Sequence, residues 1–282
     1  MSALADTHRS YLMNRRRFLL GLVAAIPGLA CRPVAQSGRE PAKQIRVLSY
    51  NIHHGEGMDG RVDLERIAAI IRSVRPDLVA LQEVDVRTQR SGDVDQAAYL
   101  ANRTGMQVVF GSNLEYQGGL YGNAVLSRFP ILEYRNHDLP NPADTEPRGV
   151  LEVTIDLEGN ARRKLIFLAT HLDNRAAVNR IAAAEWINTY AQGREDVPLL
   201  LAGDLNAIPE DEVMEVIASS WNRAGQEPMP TVPVDDPQHQ IDYVLYRPAG
   251  AWKPIEARVL PEPVASDHLP VLAVLELLPT HR

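Results

Sequence analysis

The segment VPLLLAGDLNA, Val197 to Ala207, closes an apolar run with Asp204, Leu205 and Asn206. An unpaired charge at the end of a buried strand costs several kcal/mol, so a carboxylate and a carboxamide placed there need a purpose. The same arrangement recurs: Asn51 follows RVLSY, Glu83 follows LVALQ and His171 follows LIFLAT. Asp242 opens QIDYVLY, and Asp267 with His268 in ASDHLPV precede the last apolar run. Carboxylates, carboxamides and imidazoles hold hard cations, move protons and donate to phosphoryl oxygens. Each alone has an ordinary explanation: a strand-terminal Asp or Asn is usually a cap or turn residue, and a single His is more often structural. Six segments placing caps at one edge by chance is the weaker explanation.

Such residues meet only if the elements carrying them finish together. From Ile45 onward, short apolar runs alternate with helical patterns, the signature of an α/β domain. IRVLSYN, DLVALQE, KLIFLATH, VPLLLAGDLN, QIDYVLY and LPVLAVLEL read as strands. DLERIAAIIRSV reads as a helix capped by Asp63 and ended by Pro76, with Leu64, Ile67, Ile70, Ile71 and Val74 on one face. NRAAVNRIAAAEWINTYAQG predicts a second helix from about Asn174 to Gly193, and DEVMEVIASS a shorter third. The Pro-rich EPMPTVPVDDPQHQ reads as a loop. Four strands end in ligand-type residues, and in open α/β sheets the crevice lies at the carboxyl ends of strands. Asp242 and His268 lie at the starts of theirs, so those two strands must run antiparallel to reach the same edge.

LSYNIHHG, LQEVD, YGNAVLSR, EPRGV, ATHLD, AGDLNA, IDYV and SDHLPV, in this order between Ser49 and Val271, resemble the endonuclease/exonuclease/phosphatase superfamily. The resemblance implies a DNase-like four-layer sandwich: two packed mixed β-sheets flanked by helices, with the active site at one edge. It implies Glu83 as principal divalent-metal ligand with Asn51 beside it, and Asp204 as the group that orients or deprotonates the attacking water. It further implies Asn206 and His171 as phosphate holders, His268 at the scissile phosphate with its tautomer fixed by Asp242, and Asp267 in support of the metal or water. Tyr121 and Asn123 in YGNAVLSR read equally as packing or turn residues. Where AP endonucleases have an aspartate two residues after the asparagine, this chain has His53, followed by His54. Imidazole suits Mn²⁺ or Zn²⁺ better than Mg²⁺, while a surface histidine pair is the plainer reading.

Phosphoester hydrolysis asks for the same residue types independently. It needs a hard cation on one or two carboxylates, for which Mg²⁺ is the expectation and Mn²⁺ the alternative. It also needs a base and donors aimed at the oxygens that gain charge. Glu83, Asp204, and the set Asn206, His171, His268 and Arg148 fill these parts, the Arg148 guanidinium being a fork suited to phosphate.

The first 35 residues read as an export signal, and residues 36–282 as the catalytic domain. Arg15 to Arg17 precede an apolar stretch from Phe18 to Ala30 that is too short to span a bilayer. RRRFLL is similar to a twin-arginine signal, and Cys31 after PGLA to a lipoprotein cleavage site, so the expected location is periplasmic, secreted or anchored at a membrane surface through Cys31. Residues 36–282 carry 24 basic and 35 acidic side chains, a formal charge of −11. That balance disfavours wrapping of long nucleic acid. The expected activity is therefore hydrolysis of a small or lipid-headgroup phosphodiester. A secreted DNase-like endonuclease is the alternative, and a non-catalytic binding protein on the same fold ranks below both.

Overall fold

The computed structural model describes residues 42–279. The export signal and Cys31 lie outside the described residues. The first strand, β1 (Lys43–Asn51), leads through a single turn at His53–Gly55 into helix α1 (Leu64–Val74) and back to β2 (Leu78–Val86). There follow α2 (Gln96–Thr104), β3 (Gln107–Tyr116), β4 (Gly119–Ser127), β5 (Ile131–Asp138) and β6 (Gly149–Asp156). The second half continues with β7 (Lys164–His171), α3 (Ala177–Gln192), β8 (Leu199–Asp204), α4 (Glu212–Ala218), the two-residue β9 (Asn222–Arg223), β10 (Asp242–Arg247), β11 (Trp252–Val259) and β12 (Val271–Leu277).

Two six-stranded sheets result, one ordered β11-β12-β1-β2-β4-β3 and the other β5-β6-β7-β8-β10-β9. Each contains one parallel pair, β1/β2 or β7/β8, at its centre, and every other pairing is antiparallel. A parallel pair requires a crossover, and α1 and α3 supply it. The strands that begin with Asp242 and follow His268 do run antiparallel to β8 and β1.

Strand alternation explains the layers. Ile45 and Val47 of β1, Leu78 and Ala80 of β2, Phe167 and Ala169 of β7, and Leu200 and Ala202 of β8 fill the core between the sheets. Leu48, Tyr50, Val79 and Leu81 face α1 and α2 instead, and Leu168, Leu199 and Leu201 face α3 and α4. Each fully buried aliphatic side chain contributes about 1.5–3 kcal/mol. Beyond the apolar positions the inter-sheet face ends in polar residues, His171 two past Ala169, Asp204 two past Ala202 and Asn51 after Ser49. The site is the polar end of the inter-sheet core.

Helix α1 is capped as expected, the Asp63 carboxylate accepting from the Arg66 N–H at 3.1 Å. Its chain turns away at Arg75, whose left-handed φ of 47° ends it before Pro76. Helix α3 begins three residues later than the pattern predicts, at Ala177. The Asp173 carboxylate accepts from the backbone N–H groups of Arg175 and Ala176 at 2.6 and 2.7 Å, which holds that stretch in a turn. Tyr121 to Ser127 of YGNAVLSR are strand, not turn, lying within β4. Gly203 is required by close approach: a Cβ there would meet the Thr170 carbonyl oxygen at 2.0 Å. Among the described residues no helix is long and apolar enough to cross a membrane.

Candidate active site

Three neighbouring strands carry His171, Asp204 and Asp242 in register, His171 opposite Asp204 on β7/β8 and Asp204 opposite Asp242 on β8/β10. Asn51 arrives from the other sheet. Its Nδ2 donates to Asp204 Oδ2 at 3.2 Å and to Glu83 Oε1 at 3.1 Å, so one carboxamide bridges the acids of the two sheets. Glu83 does not reach this position by simple alternation. The β2/β4 register shifts between Leu81 and Val84, and Glu83 has a φ of 58°. This bulge re-aims a side chain that an unbroken strand would point toward α1 and α2.

Asp204 is 1 % exposed. Its Oδ1 accepts from the Asn206 backbone N–H at 2.8 Å, while its Oδ2 lies 3.4 Å from His171 Nε2 and 3.7 Å from His268 Nε2. Burial, with Asp242 beside it, pushes the Asp204 carboxyl up to about 7 against the pull of His268, the Asn206 N–H and the Asn51 amide. The two imidazoles around it are in opposite states. His171 is held well below the ordinary value by burial, then by Arg148 and His268. It is neutral, accepting at Nδ1 from Arg148 Nη1 at 3.2 Å, which leaves its proton on Nε2 facing Asp204. Burial alone would lower His268 too, but Asp242, through its charge and a 2.9 Å hydrogen bond to Nδ1, outweighs it with help from Asp204 and Asp267, giving about 10. His268 is therefore an imidazolium at neutral pH.

The remaining residues divide. Arg148 is buried, its Nη1 lies 2.9 Å from Glu146 Oε1, and its Nε finds no acceptor among the described residues. Asn206, with a φ of 47°, donates its amide to the Leu172 carbonyl at 3.0 Å. Tyr121 is buried, and burial followed by the Glu83 charge raises its phenol, with Arg148 opposing. Asn123 is fully buried and donates to the Gly149 carbonyl at 3.2 Å, joining β4 to β6. Asp267 is half-buried beside His268, its Oδ1 3.3 Å from Ser266 Oγ. His53 is half-buried and His54 buried, and one ligand atom from each lies within 4.8 Å of the others and of a Glu83 oxygen. Burial, Arg90 and His53 hold His54 below the usual imidazole value.

Sequence reading passed over several supports. Ser266 Oγ donates to the Asn51 carbonyl at 2.7 Å and accepts from the His268 N–H at 3.2 Å, tying the last loop to the first strand. Thr231 Oγ1 donates to Asp242 Oδ2 at 2.6 Å from within the Pro-rich loop. Asn179 donates to Asn141, Thr145 and Asp173, fastening the loop that leads to Arg148. Ser266 had a local signal, standing one residue before the Asp-His pair. The other supports lie in segments without such a signal, Thr231 in the Pro-rich loop and Asn179 within α3, the latter reaching Asn141 and Thr145 across more than 30 positions.

A family model described as the Endonuclease/Exonuclease/phosphatase family matches residues 48–268. The Escherichia coli K12 uncharacterized protein YbhP is 30 % identical over 250 residues, spanning 82 % of this chain and 96 % of that protein. The crystal structure of an endonuclease/exonuclease/phosphatase from Beutenbergia cavernae superposes with a TM-score of 0.69 at 26 % identity, covering 83 % of this chain and 72 % of its own. The human nocturnin catalytic domain, solved with a bound sulfate anion, does so with a TM-score of 0.65 at 25 % identity, covering 83 % and 94 %.

Proposed function

This chain belongs to the endonuclease/exonuclease/phosphatase family, and on that premise we propose that it hydrolyses a small or lipid-headgroup phosphodiester outside the cytoplasm. It is a metal-dependent phosphoester hydrolase with the DNase-like α/β sandwich of that family. The observation that carries the finer reading is the setting of Asp204: a buried carboxyl near 7, flanked by one neutral and one charged imidazole and joined to Glu83 by Asn51.

Each residue takes a role from that setting. Asp204 orients the attacking water and accepts its proton, as a base poised near the working pH should. His268, charged and fixed at Nδ1 by Asp242, presents Nε2–H to a phosphoryl oxygen. His171 and Asn206 add neutral donors, and Arg148 offers a guanidinium whose Nε has no acceptor among the described residues. The oxygen donors of Glu83 and Asn51 fit a divalent cation, Mg²⁺ or Mn²⁺, with Asp267 in reserve through Ser266. Such an ion offsets charge on the phosphoryl oxygens. The sulfate in human nocturnin, an anion shaped like a phosphoryl group, supports an oxyanion as the ligand of this fold.

The formal charge of −11 over residues 36–282 works against steering of a polyanion and favours a compact substrate over duplex DNA. The purified protein should turn over bis-p-nitrophenyl phosphate faster than plasmid DNA at physiological salt, and EDTA should stop it. Efficient, strongly salt-dependent plasmid degradation with little diester activity would promote the endonuclease reading instead. Location is tested separately: Arg15→Lys with Arg16→Lys should block export, and Cys31→Ser should release a membrane-bound form.

A further inference from the structure

We infer that His53, His54 and Glu83 form a nitrogen-bearing metal site that binds a first-row transition ion, Zn²⁺ or Mn²⁺, more tightly than Mg²⁺. The inference rests on the metal-dependent reading above and deepens it, since oxygen donors alone would leave Mg²⁺ the better fit. Two imidazoles and a carboxylate are a donor set suited to such an ion with a position left open.

The arrangement of Glu56 is what singles the histidines out. His53 Nδ1 lies 3.2 Å from the Glu56 carbonyl oxygen, and His54 Nε2 lies 3.3 Å from Glu56 Oε2. Both acceptors belong to one residue, and each fixes a tautomer. The lone pairs left over are on His53 Nε2 and His54 Nδ1. Metal-binding histidines characteristically give their other N–H to a backbone carbonyl or a carboxylate, and here one does each. His54 Nδ1 is buried and has no hydrogen-bond partner among the described residues, a state that is unfavourable when nothing satisfies it.

The backbone is bent to present these rings. His53 and His54 have φ values of 44° and 43°, followed by Gly55 at 80°, and left-handed backbone at non-glycine residues is strained. The His53 N–H is held by Asn51 Oδ1 at 3.1 Å, so the turn is registered on the same carboxamide that touches Glu83. Packing accounts for the edge-on contact of the two rings, 4.5 Å between centroids. It does not account for the orphan nitrogen, for two strained residues in succession, or for a Glu83 oxygen within 4.8 Å of a donor on each ring.

The test uses the full chain stripped with EDTA and titrated with Co²⁺, following the d–d absorption and the contact-shifted exchangeable N–H proton resonances. Two imidazole N–H signals are expected, with one lost in His53→Ala and one in His54→Gln. Competition should show Zn²⁺ and Mn²⁺ affinity falling about 10- to 100-fold in His53→Ala, with Mg²⁺ affinity unchanged. Should His54→Gln lose its far-ultraviolet circular dichroism, the half-exposed His53 variant decides alone. Absent imidazole signals, or unchanged Zn²⁺ affinity in His53→Ala, would overturn the site. Two signals without phosphodiester turnover would uphold it and sink the diester reading, whereas turnover without any imidazole signal would do the reverse.

Discussion

The β1–α1–β2 unit and the β7–α3–β8 unit occupy the same place in their sheets, each a central parallel pair joined by a helix. Each ends its first strand in a polar residue, Asn51 or His171, and delivers an acid from its second, Glu83 or Asp204. The acids nevertheless differ. Asp204 follows strand alternation into the inter-sheet face and is sealed among His171, His268 and Asp242; burial and the Asp242 charge lift its carboxyl to about 7 against the pull of His268. Glu83 is turned out by a bulge to a half-buried position near two histidines. The residues two beyond the strand ends diverge as well: His53 presents a ring from strained backbone, whereas Asp173 holds the turn before α3. On the proposed roles, one scaffold carries the proton acceptor on one side and the cation ligand on the other, and burial is what separates the two acids.

Substituting the buried acid should have the largest effect. Asp204→Asn is expected to lower turnover by about 10²- to 10⁴-fold and to leave thermal stability unchanged or raised, since a costly buried carboxyl is replaced by its neutral isostere. Added metal should not restore the rate. Wild-type turnover in this variant would erase the distinction between the two acids.

A smaller and different loss is expected from Glu83→Gln. Metal affinity should fall about 10- to 100-fold, with the rate dropping at limiting metal and recovering in excess. If excess metal rescued Asp204→Asn and not Glu83→Gln, the two roles would have to be exchanged.

The smallest effect tests the turn peculiar to the second unit and reads stability. Burial alone would raise Asp173, but the Thr145 hydroxyl, the Ala176 N–H, the Asn179 amide and the Arg175 N–H outweigh it and bring it to about 2, below the ordinary 3.8. A depressed carboxyl stabilises the fold fully above its unfolded value, and that contribution is lost as pH falls from about 4 to about 2. Its size is about 2 kcal/mol. Asp173→Asn should therefore lower Tm at neutral pH and flatten the acid side of the Tm–pH curve. A curve parallel to wild type would remove Asp173 from the account.

Much of this was legible in the chain. Alternation of apolar residues determines which face of β1, β7 and β8 is buried, so Asn51, His171 and Asp204 were bound to share a face once their strands formed sheets. The antiparallel return of Asp242 and His268 followed from their standing at the starts of strands. What local sequence could not carry were the departures from regularity and the contacts between distant segments. Nothing in LVALQEVD announces the bulge that turns Glu83, because a bulge is set by how β2 pairs with β4. The start of α3 depended on an Asp173 carboxylate whose other partners include Thr145 and Asn179. The sequence alone determined which donor types stand at the strand ends. Only the tertiary structure decided their protonation, because the value of Asp204 is a property of its burial and of charges that β10 and the His268 loop bring to it. Likewise, the free nitrogens of His53 and His54 exist as such only because Glu56 folds back to take the other two.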